Sequence, residues 1–359
     1  GEQNLSTRPN IDVEIVREPI GVTVLITPWN FPIAIPAWKI APALAHGNTV
    51  VLKPSEITPA SAYHLTKIME EAGLPAGVFN LLVAKGEAVG ETLVSHPAVA
   101  GISFTGSVPT GRKIAQGAIQ HMKKIQMEMG GKNPMVIMED ADLDIAIPVT
   151  INGAFYQTGQ RCTASSRVIV HEKIYDAFVE RFVSEMDKLS VGPALDPTTQ
   201  IGPVVSDTQL KSNLSYVEIA RNEGCEVVSG QHLAERNTGY FQRPGAFLNA
   251  NNKMRSSREE IFGPVASIIK VDDFEEAVAT ANDTEFGLSS AICTRSLYYA
   301  REFKRLSEAG MAMVNLPTAG VDYHVPFGGR KNSSYGSREQ GRAAIDFYTT
   351  TKTTYSFAG

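Results

Sequence analysis

The chain is 359 residues long, with 43% hydrophobic and 20% charged residues, a composition typical of a folded protein of two or three domains. Its 33 basic and 38 acidic side chains give a net charge of −5 without long runs of one sign, which argues against a nucleic-acid partner. Three cysteines, Cys162, Cys225 and Cys293, are too few for a disulfide framework and too widely spaced for a zinc site of paired cysteines. They favour a reducing, cytoplasmic compartment, and no metal site is predicted.

No stretch of the sequence is typical of a membrane span. The most apolar stretch, residues 20–45, contains four prolines and Lys39. A membrane partner is therefore not expected. The first residue is glycine rather than methionine, and the β-prone segment 11–17 follows at once, so we expect the chain to begin inside a larger protein.

Two series of alternating strands and helices follow one another along the chain. The first has predicted strands at 22–27, 49–52, 78–83 and 99–105 and predicted helices at 33–46, 59–72, 87–95 and 109–120. The second has strands at 134–138 and 167–171 and helices near 142–157 and 172–189. Such alternation predicts two α/β domains, each with a parallel sheet.

Two further strand candidates, residues 11–17 and the threonine-rich residues 348–355, have no place in either parallel sheet. Unpaired strands expose backbone hydrogen-bonding groups. We therefore expect these two strands to pair with each other or with another subunit.

Cys162 stands in Gly159-Gln160-Arg161-Cys162-Thr163, in a predicted loop between a helix and a strand. A thiol on a loop held by rigid elements, beside a backbone N–H group, is a candidate nucleophile. The alternative is a buried, inert thiol, the commoner role of cysteine. Cys225 and Cys293 lack such surroundings and are expected to be core residues.

Glu128 stands between Met127 and Met129 at the end of a predicted strand, with Gly130 and Gly131 following. Apolar surroundings raise the pKa of a carboxyl group and suit a general base near neutral pH. A helix cap or a surface carboxylate is the alternative.

Three further segments carry possible ligand-binding groups at strand ends. Gly106-Ser107 leads from a strand into a helix, where free N–H groups can bind phosphate, although the loop matches no standard phosphate-binding motif. Lys53-Pro54-Ser55-Glu56 ends another strand at the same predicted sheet edge, with a solvated ion pair as the alternative. Asn30, among aromatic residues and prolines, is either an oxyanion donor or a structural residue. Glu260, two residues before Phe262, is a further acidic candidate.

Taken together, these motifs resemble the aldehyde dehydrogenase superfamily, from about residue 14 to the C-terminus. The family's nucleophile motif matches Gly159-Gln160-Arg161-Cys162, and its general-base motif matches Glu128-Met129-Gly130-Gly131-Lys132. The 34 residues that separate Cys162 from Glu128 are the spacing usual in that family.

The resemblance implies a fold of class α/β with a Rossmann-like parallel-sheet cofactor domain, an α/β catalytic domain and a small β oligomerisation arm. The implied domains are residues 19–130 for the cofactor, residues 131–328 for catalysis, and residues 1–18 with 347–359 for the arm. Residues 329–346 would return the chain to the cofactor domain. A soluble homodimer or homotetramer is expected.

The resemblance also assigns roles to individual residues. The implied catalytic residues are Cys162, Glu128, Asn30 and Lys39. The implied cofactor-binding residues are Thr27, Trp29, Lys53, Ser55, Glu56, Gly106, Ser107, Gly130, Glu260 and Phe262. The implied substrate-binding residues are Phe31, Trp38, Arg161, Thr163 and Phe327. The implied chemistry is oxidation of a small aldehyde through a cysteine thiohemiacetal and thioester, with NAD, or NADP, as cofactor and no metal.

Two departures from the family pattern affect these expectations. The opening segment of longer family members is missing, and the turn at residues 83–86 is poorer in glycine than the turn usual beside the adenine. The C-terminal run at residues 325–341, together with Arg161, resembles α-ketoglutaric semialdehyde (2,5-dioxopentanoate) dehydrogenases. Succinate semialdehyde or an aliphatic aldehyde is an alternative substrate. An inactive remnant that keeps the fold, and a cofactor-independent thioesterase, are the alternatives from other classes.

Overall fold

The computed structural model describes residues 1–233 and 239–357. The chain divides into two compact units. Unit 1 consists of Gly1–Met129, Asp322–Gly328 and Ser334–Gly359, and unit 2 of Gly130–Val321 and Gly329–Ser333. Residues 358–359 of the predicted arm lie outside the described residues. Within the described ranges, no helix is both long and apolar enough to cross a membrane.

Strands and helices alternate along most of the chain. The strands are β1 (Glu2–Leu5), β2 (Ile11–Pro19), β3 (Val22–Ile26), β4 (Thr49–Lys53), β5 (Phe79–Leu81), β6 (Val99–Thr105), β7 (Lys124–Glu128), β8 (Asn133–Ile137), β9 (Ser165–His171), β10 (Glu226–Ser229), β11 (Gly245–Ala250), β12 (Val265–Val271), β13 (Phe286–Gly287), β14 (Ser289–Cys293), β15 (Met311–Val314), β16 (Arg330–Lys331), β17 (Ser334–Tyr335) and β18 (Thr349–Phe357). The helices are α1 (Ala34–Ala45), α2 (Pro59–Glu71), α3 (Gly86–Ser95), α4 (Val108–Gln120), α5 (Leu143–Phe155), α6 (Glu172–Asp187), α7 (Asp207–Asn222), α8 (Arg255–Arg258), α9 (Phe274–Asn282), α10 (Leu297–Leu306) and α11 (Ile345–Tyr348).

Unit 1 contains a six-stranded sheet in the order β17-β7-β6-β3-β4-β5, parallel except for the edge strand β17. Successive residues of its central strand β3 face opposite sides, and both sides are buried. Val24 belongs to an apolar cluster with Ile102 and Phe104 on one side, and Leu25 to a cluster with Leu52 and Phe347 on the other. Burial on both faces explains the nearly continuous runs of β-branched residues in these strands.

The strand order of this sheet reverses at β3. From β3 the chain moves outward through β4 and β5, and it then returns to the other side of β3 to form β6 and β7. A doubly wound sheet binds ligands at such a point, outside the carboxyl ends of the strands. The predicted α/β class with a Rossmann-like sheet is confirmed.

Unit 2 contains a seven-stranded sheet in the order β10-β11-β12-β9-β8-β14-β15. Only β10 runs antiparallel to its neighbour. One face packs on α5 and α6 through Phe155, Phe178 and Phe182. The Phe182 ring stacks on Phe178 at 5.5 Å and lies tilted against Phe155 at 5.6 Å. The other face packs on α9 through Phe274 and Ala277.

Strands β2 and β18 form a long antiparallel pair in unit 1, with β1 added at the edge of β2. Nine residue pairs run from Ile11 against Phe357 to Pro19 against Thr349. Of the two predicted pairings, the strands therefore adopt the intrachain one. The sheet is mostly exposed, so its edges remain available.

Sequence patterns predict no element for residues 191–260, yet α7 occupies 16 of these residues. Most of its surface is polar, and only Leu210, Asn213, Val217 and Ala220 are buried. A buried residue at every third or fourth position is a weak sequence signal for a helix when most other positions are charged or polar. The helix is recognised only once its packing is known.

Candidate active site

The predicted cofactor residues of unit 1 gather at the carboxyl edge of its sheet. The Thr27 N–H donates to the Lys53 carbonyl at 3.2 Å, and the Gly106 N–H donates to the Glu128 carbonyl at 3.0 Å. These two hydrogen bonds extend the pairing of β3 with β4 and of β6 with β7 by one residue beyond the strand ends. The segments after β3, β4, β6 and β7 therefore leave the sheet side by side, as the sequence predicts.

Lys53 and Glu56 form an ion pair at this edge. The buried Lys53 Nζ donates to Glu56 Oε2 and to the Pro54 carbonyl, both at 3.3 Å, while the Ser55 hydroxyl accepts from the Ile57 N–H. A backbone N–H bond, followed by the charges of Lys53 and Lys85, lowers the pKa of Glu56. Its half-exposed carboxylate is therefore ionised and can accept hydrogen bonds from hydroxyl groups.

Ser107 is the residue that precedes α4, and its hydroxyl donates to Thr110 Oγ1 at 3.0 Å. At Gly106 a Cβ atom would lie 2.6 Å from the Phe104 ring, so a larger residue there would require the buried ring to shift. The backbone therefore turns tightly into the amino end of a 13-residue helix. Such an end carries unpaired N–H donors and favours anions.

Glu128 is buried at the end of β7, with 2% of its surface exposed. It accepts hydrogen bonds from the Ser334 hydroxyl at 2.5 Å and from Gln126 Nε2 at 3.2 Å. Burial, and secondly the nearby Glu339 carboxylate, raise the pKa of Glu128 well above its ordinary value. The alternatives of a helix cap or a surface carboxylate are wrong, because Glu128 is buried at the end of an interior strand, between two buried methionines.

A buried polar network connects Glu128 to Lys39. Lys39 Nζ forms an ion pair with Glu339 and donates to Ser103 Oγ at 2.7 Å and to Gln126 Oε1 at 3.4 Å. Gln126 and Glu128 share one face of β7, since they are two residues apart. Sequence analysis missed Glu339, Gln126 and Ser103. Glu339 lies 300 residues from Lys39, and no local pattern indicates that pairing.

The predicted substrate aromatics of unit 1 include a contacting pair. The rings of Trp38 and Phe327 lie 5.7 Å apart. Phe327 is held by two backbone hydrogen bonds to Glu339, at 2.8 and 2.9 Å. Phe31 and Asn30 are half-buried between β3 and α1, where the Phe31 carbonyl accepts from the Ile35 N–H. Trp29 is half-buried in the same loop.

In unit 2 the predicted residues gather at the amino edge of the sheet. Residues 130–132 lead into β8, residues 161–164 into β9, and residues 260–264 into β12. These three strands are neighbours in the order β12-β9-β8. The loops that carry Gly130, Cys162 and Glu260 therefore lie next to one another.

Cys162 follows a strained turn. After α5 the chain forms a 3₁₀ turn, Tyr156–Gly159, in which Gln157, Thr158 and Gly159 have φ values of 56°, 59° and 65°. A β-branched residue such as Thr158 seldom adopts this left-handed conformation. At Gly159 a Cβ atom would lie 2.1 Å from the Gly263 carbonyl oxygen, which requires glycine.

The three cysteines differ in exposure as predicted. Cys162 is half-buried, whereas Cys225 and Cys293 are buried in the two apolar clusters of unit 2. Burial raises the pKa of Cys225 and raises that of Cys293 to about 12, so both are poor nucleophiles at neutral pH. Cys162 alone combines partial exposure with a loop position.

Glu260 lies against the two glycines that precede β8. Its Oε1 accepts from the Gly131 N–H at 3.0 Å, and a Cβ atom at Gly130 would lie 2.1 Å from Oε2. Burial raises the pKa of Glu260 to about 7. Burial, and secondly the charge of Arg167, lower the pKa of Lys132 to about 7. Phe262 follows with a left-handed φ of 62°.

Arg161 is partly committed to its own loop. Its Nε donates to Gln157 Oε1 at 3.3 Å, and one terminal nitrogen donates to the Asn152 carbonyl and side-chain oxygens at 3.3 and 3.2 Å. The second terminal nitrogen makes no hydrogen bond to any described residue. Arg161 lines a small open pocket together with Gly131, Ser166, Glu260 and Phe262. The neighbouring Thr163 is buried.

Comparison with known proteins agrees with this arrangement. Residues 1–354 match the model of the aldehyde dehydrogenase family. An alpha-ketoglutarate semialdehyde dehydrogenase of Haloferax volcanii is 45% identical, covering 99% of this chain and 74% of the relative. A betaine aldehyde dehydrogenase of Cereibacter sphaeroides is 43% identical, covering 96% and 70%. A crystal structure of betaine aldehyde dehydrogenase from Staphylococcus aureus in complex with NAD+ is 34% identical, with a TM-score of 0.97 over 100% of this chain and 71% of that one. The chain belongs to the aldehyde dehydrogenase family.

Proposed function

We propose that this NAD(P)-dependent aldehyde dehydrogenase oxidises an aldehyde that carries a carboxylate, such as α-ketoglutaric semialdehyde, to the corresponding acid. The observation that carries the proposal is the position of Arg161, which is half-buried, adjoins Cys162 and keeps one terminal nitrogen uncommitted among the described residues. A guanidinium group binds a carboxylate through charged hydrogen bonds. The 45% identity with the semialdehyde dehydrogenase of Haloferax volcanii supports the same substrate class.

Cys162 is the proposed nucleophile. Its thiolate sulfur attacks the aldehyde carbon to form a thiohemiacetal, and loss of hydride from that carbon leaves a thioester. The developing oxyanion requires fixed donors, a role that we assign to the Asn30 amide and the Cys162 backbone N–H. Cys225 and Cys293 are excluded by their burial.

Glu128 is the proposed general base. A raised pKa keeps a carboxylate basic enough to take a proton from water, whose oxygen then attacks the thioester and releases the acid and the thiol. Lys39 is the proposed partner of this step, since Gln126 connects it to Glu128 by hydrogen bonds. The overall reaction consumes one aldehyde, one water and one oxidised cofactor.

The residues fit a nicotinamide dinucleotide. When bound, NAD supplies the acceptor for the hydride. We propose that Lys53 and Glu56 bind the adenosine ribose and that the start of α4, at Gly106 and Ser107, binds the pyrophosphate. Further residues with this role would be Thr27, Trp29 and Ser55. The ionised Glu56 carboxylate favours NAD over NADP, because it would repel a 2′-phosphate.

Glu260 and Phe262 are the proposed contacts to the nicotinamide end. The Glu260 carboxyl lies so close to Gly130 that a side chain at position 130 would collide with it. A carboxylate held there can accept hydrogen bonds from ribose hydroxyls.

Betaine aldehyde is the competing substrate, because a betaine aldehyde dehydrogenase is 43% identical. Its trimethylammonium group has the opposite charge to a carboxylate. The Arg161 guanidinium would repel it, whereas it would attract a semialdehyde carboxylate. Phe31, Trp38, Thr163 and Phe327 are the further proposed substrate contacts.

The test compares kcat/KM for α-ketoglutaric semialdehyde, succinate semialdehyde, betaine aldehyde and an uncharged aldehyde of similar length. A charged hydrogen bond contributes roughly 1.5–3 kcal/mol, so Arg161→Ala should lower kcat/KM for the semialdehyde about 10- to 100-fold. The uncharged aldehyde should lose much less. Arg181→Ala removes a surface arginine paired with Asp144 and is the matched control. Equal losses for charged and uncharged substrates would assign Arg161 to the loop instead of the substrate.

We also propose that the chain forms homo-oligomers through the sheet of β1, β2 and β18. Its exposed edges and the exposed Tyr355 and Phe357 side chains support this proposal. Sedimentation at micromolar concentration tests it, and a monomer under those conditions would contradict it.

A further inference from the structure

Side chains from two separate elements hold the backbone carbonyls of the nucleophile loop. Asn133 Nδ2 donates to the Cys162 carbonyl at 2.8 Å and to the Ala164 carbonyl at 2.9 Å. The Thr318 hydroxyl donates to the Thr163 carbonyl at 2.6 Å. Three consecutive carbonyls, beginning at the nucleophile, are therefore bonded to fixed donors.

The two donors are themselves rigidly held. Asn133 begins β8, is 1% exposed and accepts from the Ser289 N–H at 3.1 Å. Thr318 has no exposed surface, and its oxygen lies 2.7 Å from Ser165 Oγ. Since the single Thr318 proton is donated to the Thr163 carbonyl, Ser165 must donate to Thr318. Each donor is thus held by the start of a strand of the seven-stranded sheet.

The loop has little freedom on its other sides. Upstream, Gln157, Thr158 and Gly159 are all in the left-handed conformation, at a cost of order 1–3 kcal/mol for each non-glycine residue. A Cβ atom at Gly131 would lie 2.4 Å from the Cys162 carbonyl oxygen, so the strand start and the loop are in close contact. Strain of this kind persists only where surrounding contacts fix the backbone.

We infer that Asn133 and Thr318 are positioning residues that fix the backbone of Cys162 and thereby the place and orientation of its Sγ atom. This inference rests on the proposed role of Cys162 as nucleophile. The peptide plane between Cys162 and Thr163 is rigid, so holding its carbonyl also fixes the direction of its N–H group. In this inference that N–H, which belongs to Thr163, stabilises the Cys162 thiolate. A displacement of about 1 Å at a reacting atom can cost about 100-fold in rate.

The experiment compares Asn133→Leu with Asn48→Leu, which are neutral substitutions of similar volume. Asn48 is a matched control in unit 1, since its Nδ2 donates to the Ala43 and Tyr348 carbonyls and its Oδ1 accepts from the Gly21 N–H. It is 2% exposed, so both variants remove an equally buried amide with the same bonds. Thr318→Val is compared in the same way with Thr23→Val, since Thr23 is buried and donates to the Thr49 carbonyl.

The first readout is the pre-steady-state burst of reduced cofactor. Loss of positioning should lower the burst rate constant of Asn133→Leu and Thr318→Val about 10- to 100-fold, while the KM for NAD changes little. Thr318→Ser keeps the hydroxyl and should restore most of the rate constant. A merely structural role would lower the burst amplitude, which counts folded enzyme, and leave the rate constant unchanged, as expected for Asn48→Leu and Thr23→Val.

The second readout needs neither aldehyde nor cofactor. Alkylation of Cys162 by iodoacetamide, followed by peptide mass spectrometry over a range of pH, should be slower at neutral pH in Asn133→Leu and should have a midpoint shifted to higher pH. Unchanged burst rate constants and an unchanged alkylation profile in folded Asn133→Leu and Thr318→Val would overturn the inference. Failure of the proposed function has a different signature, since it would appear as full turnover in Cys162→Ser.

Discussion

The two large sheets of this protein carry their candidate residues at opposite ends. In unit 1 these residues follow the carboxyl ends of β3, β4, β6 and β7, whereas in unit 2 they precede the amino ends of β8, β9 and β12. In unit 1 the polar groups are backbone N–H groups at the start of α4 together with charged side chains. In unit 2 the candidate residues lie on loops that are held by hydrogen bonds. The Asn133 and Thr318 side chains donate to loop carbonyls, and the Gly131 N–H donates to the Glu260 carboxylate.

The difference indicates two ways to prepare a binding or reacting group. A helix start after a parallel strand presents N–H donors without any special side chain, which suits a phosphate. The Cys162 loop lies at the amino end of β9, where no helix begins. It is held instead by hydrogen bonds from Asn133 and Thr318 and by close contacts with glycine. We therefore expect changes at the start of α4 and at Glu56 to affect cofactor use, and changes in the Cys162 loop to affect the reaction itself. The division between the units is not complete, because our proposal places Glu128 of unit 1 in the reaction and Glu260 of unit 2 in cofactor binding.

The largest effect is expected for Cys162→Ser. A serine hydroxyl stays protonated without an activating base, so kcat should fall by at least about 10³-fold. Cofactor affinity should be retained, because our proposal assigns cofactor binding to other residues. Steady-state rates of cofactor reduction and a direct binding titration measure the two quantities. Cys225→Ser is the control, and near-normal turnover of Cys162→Ser would remove Cys162 from the mechanism.

Glu128→Gln should lower steady turnover about 10²- to 10⁴-fold but leave a burst of reduced cofactor, because its proposed role begins after hydride loss. In the unchanged enzyme the deprotonated carboxylate is the active form. Its raised pKa should therefore place the acid limb of the pH–rate profile above the range of an ordinary glutamate. That limb should disappear in the variant.

Stopped-flow and steady-state rates across pH provide the measurement for Glu128. Glu70→Gln, which removes a surface carboxylate paired with Lys67, is the control. A steady rate equal to that of the unchanged enzyme would contradict the role of Glu128.

Glu260 should make cofactor affinity depend on pH. Its pKa of about 7 means that the carboxyl is neutral in more acidic solution and ionised in more alkaline solution. Bonds to a charged acceptor are stronger than bonds to a neutral one by roughly 1 to 1.5 kcal/mol, so the KM for NAD should rise about 5- to 10-fold as the pH falls through 7. The KM of Glu260→Gln should be nearly independent of pH in this range. The same pH dependence in both proteins would exclude Glu260 as the titrating group.

The smallest effect is expected for Glu56→Gln. A half-exposed carboxylate near a phosphate in water has a repulsion of about 1 kcal/mol per charge at contact distance, so the preference for NAD over NADP should shrink about five-fold. The ratio of kcat/KM for the two cofactors measures the effect. High salt should reduce it in the unchanged enzyme. An unchanged ratio would show that Glu56 does not determine the cofactor preference.

Local patterns predict much of this molecule. The strand Val99–Thr105 and the helix start at Pro59 agree with prediction residue for residue, because β-branched runs and proline at a first turn act through the conformation of their own backbone. The exposure of Cys162 and the burial of Cys225 and Cys293 also follow from their local sequence. Helix α7 shows the limit, since its mostly polar surface hides its few buried positions.

The sequence by itself determined the α/β class, the strand character of β2 and β18, and the loop that carries the cysteine. It left open whether β2 and β18 pair with each other or with another subunit, and the structure pairs them with each other. Only the tertiary structure decided that Glu128 is buried beside Glu339, that Glu339 pairs with Lys39, and that Asn133 and Thr318 bond to the loop of Cys162. The physical reason is distance along the chain. Strand and turn preferences act over a few residues, whereas Lys39 and Glu339 are 300 residues apart and Thr163 and Thr318 are 155 apart. Residues so far apart come into contact only when the sheets between them have assembled.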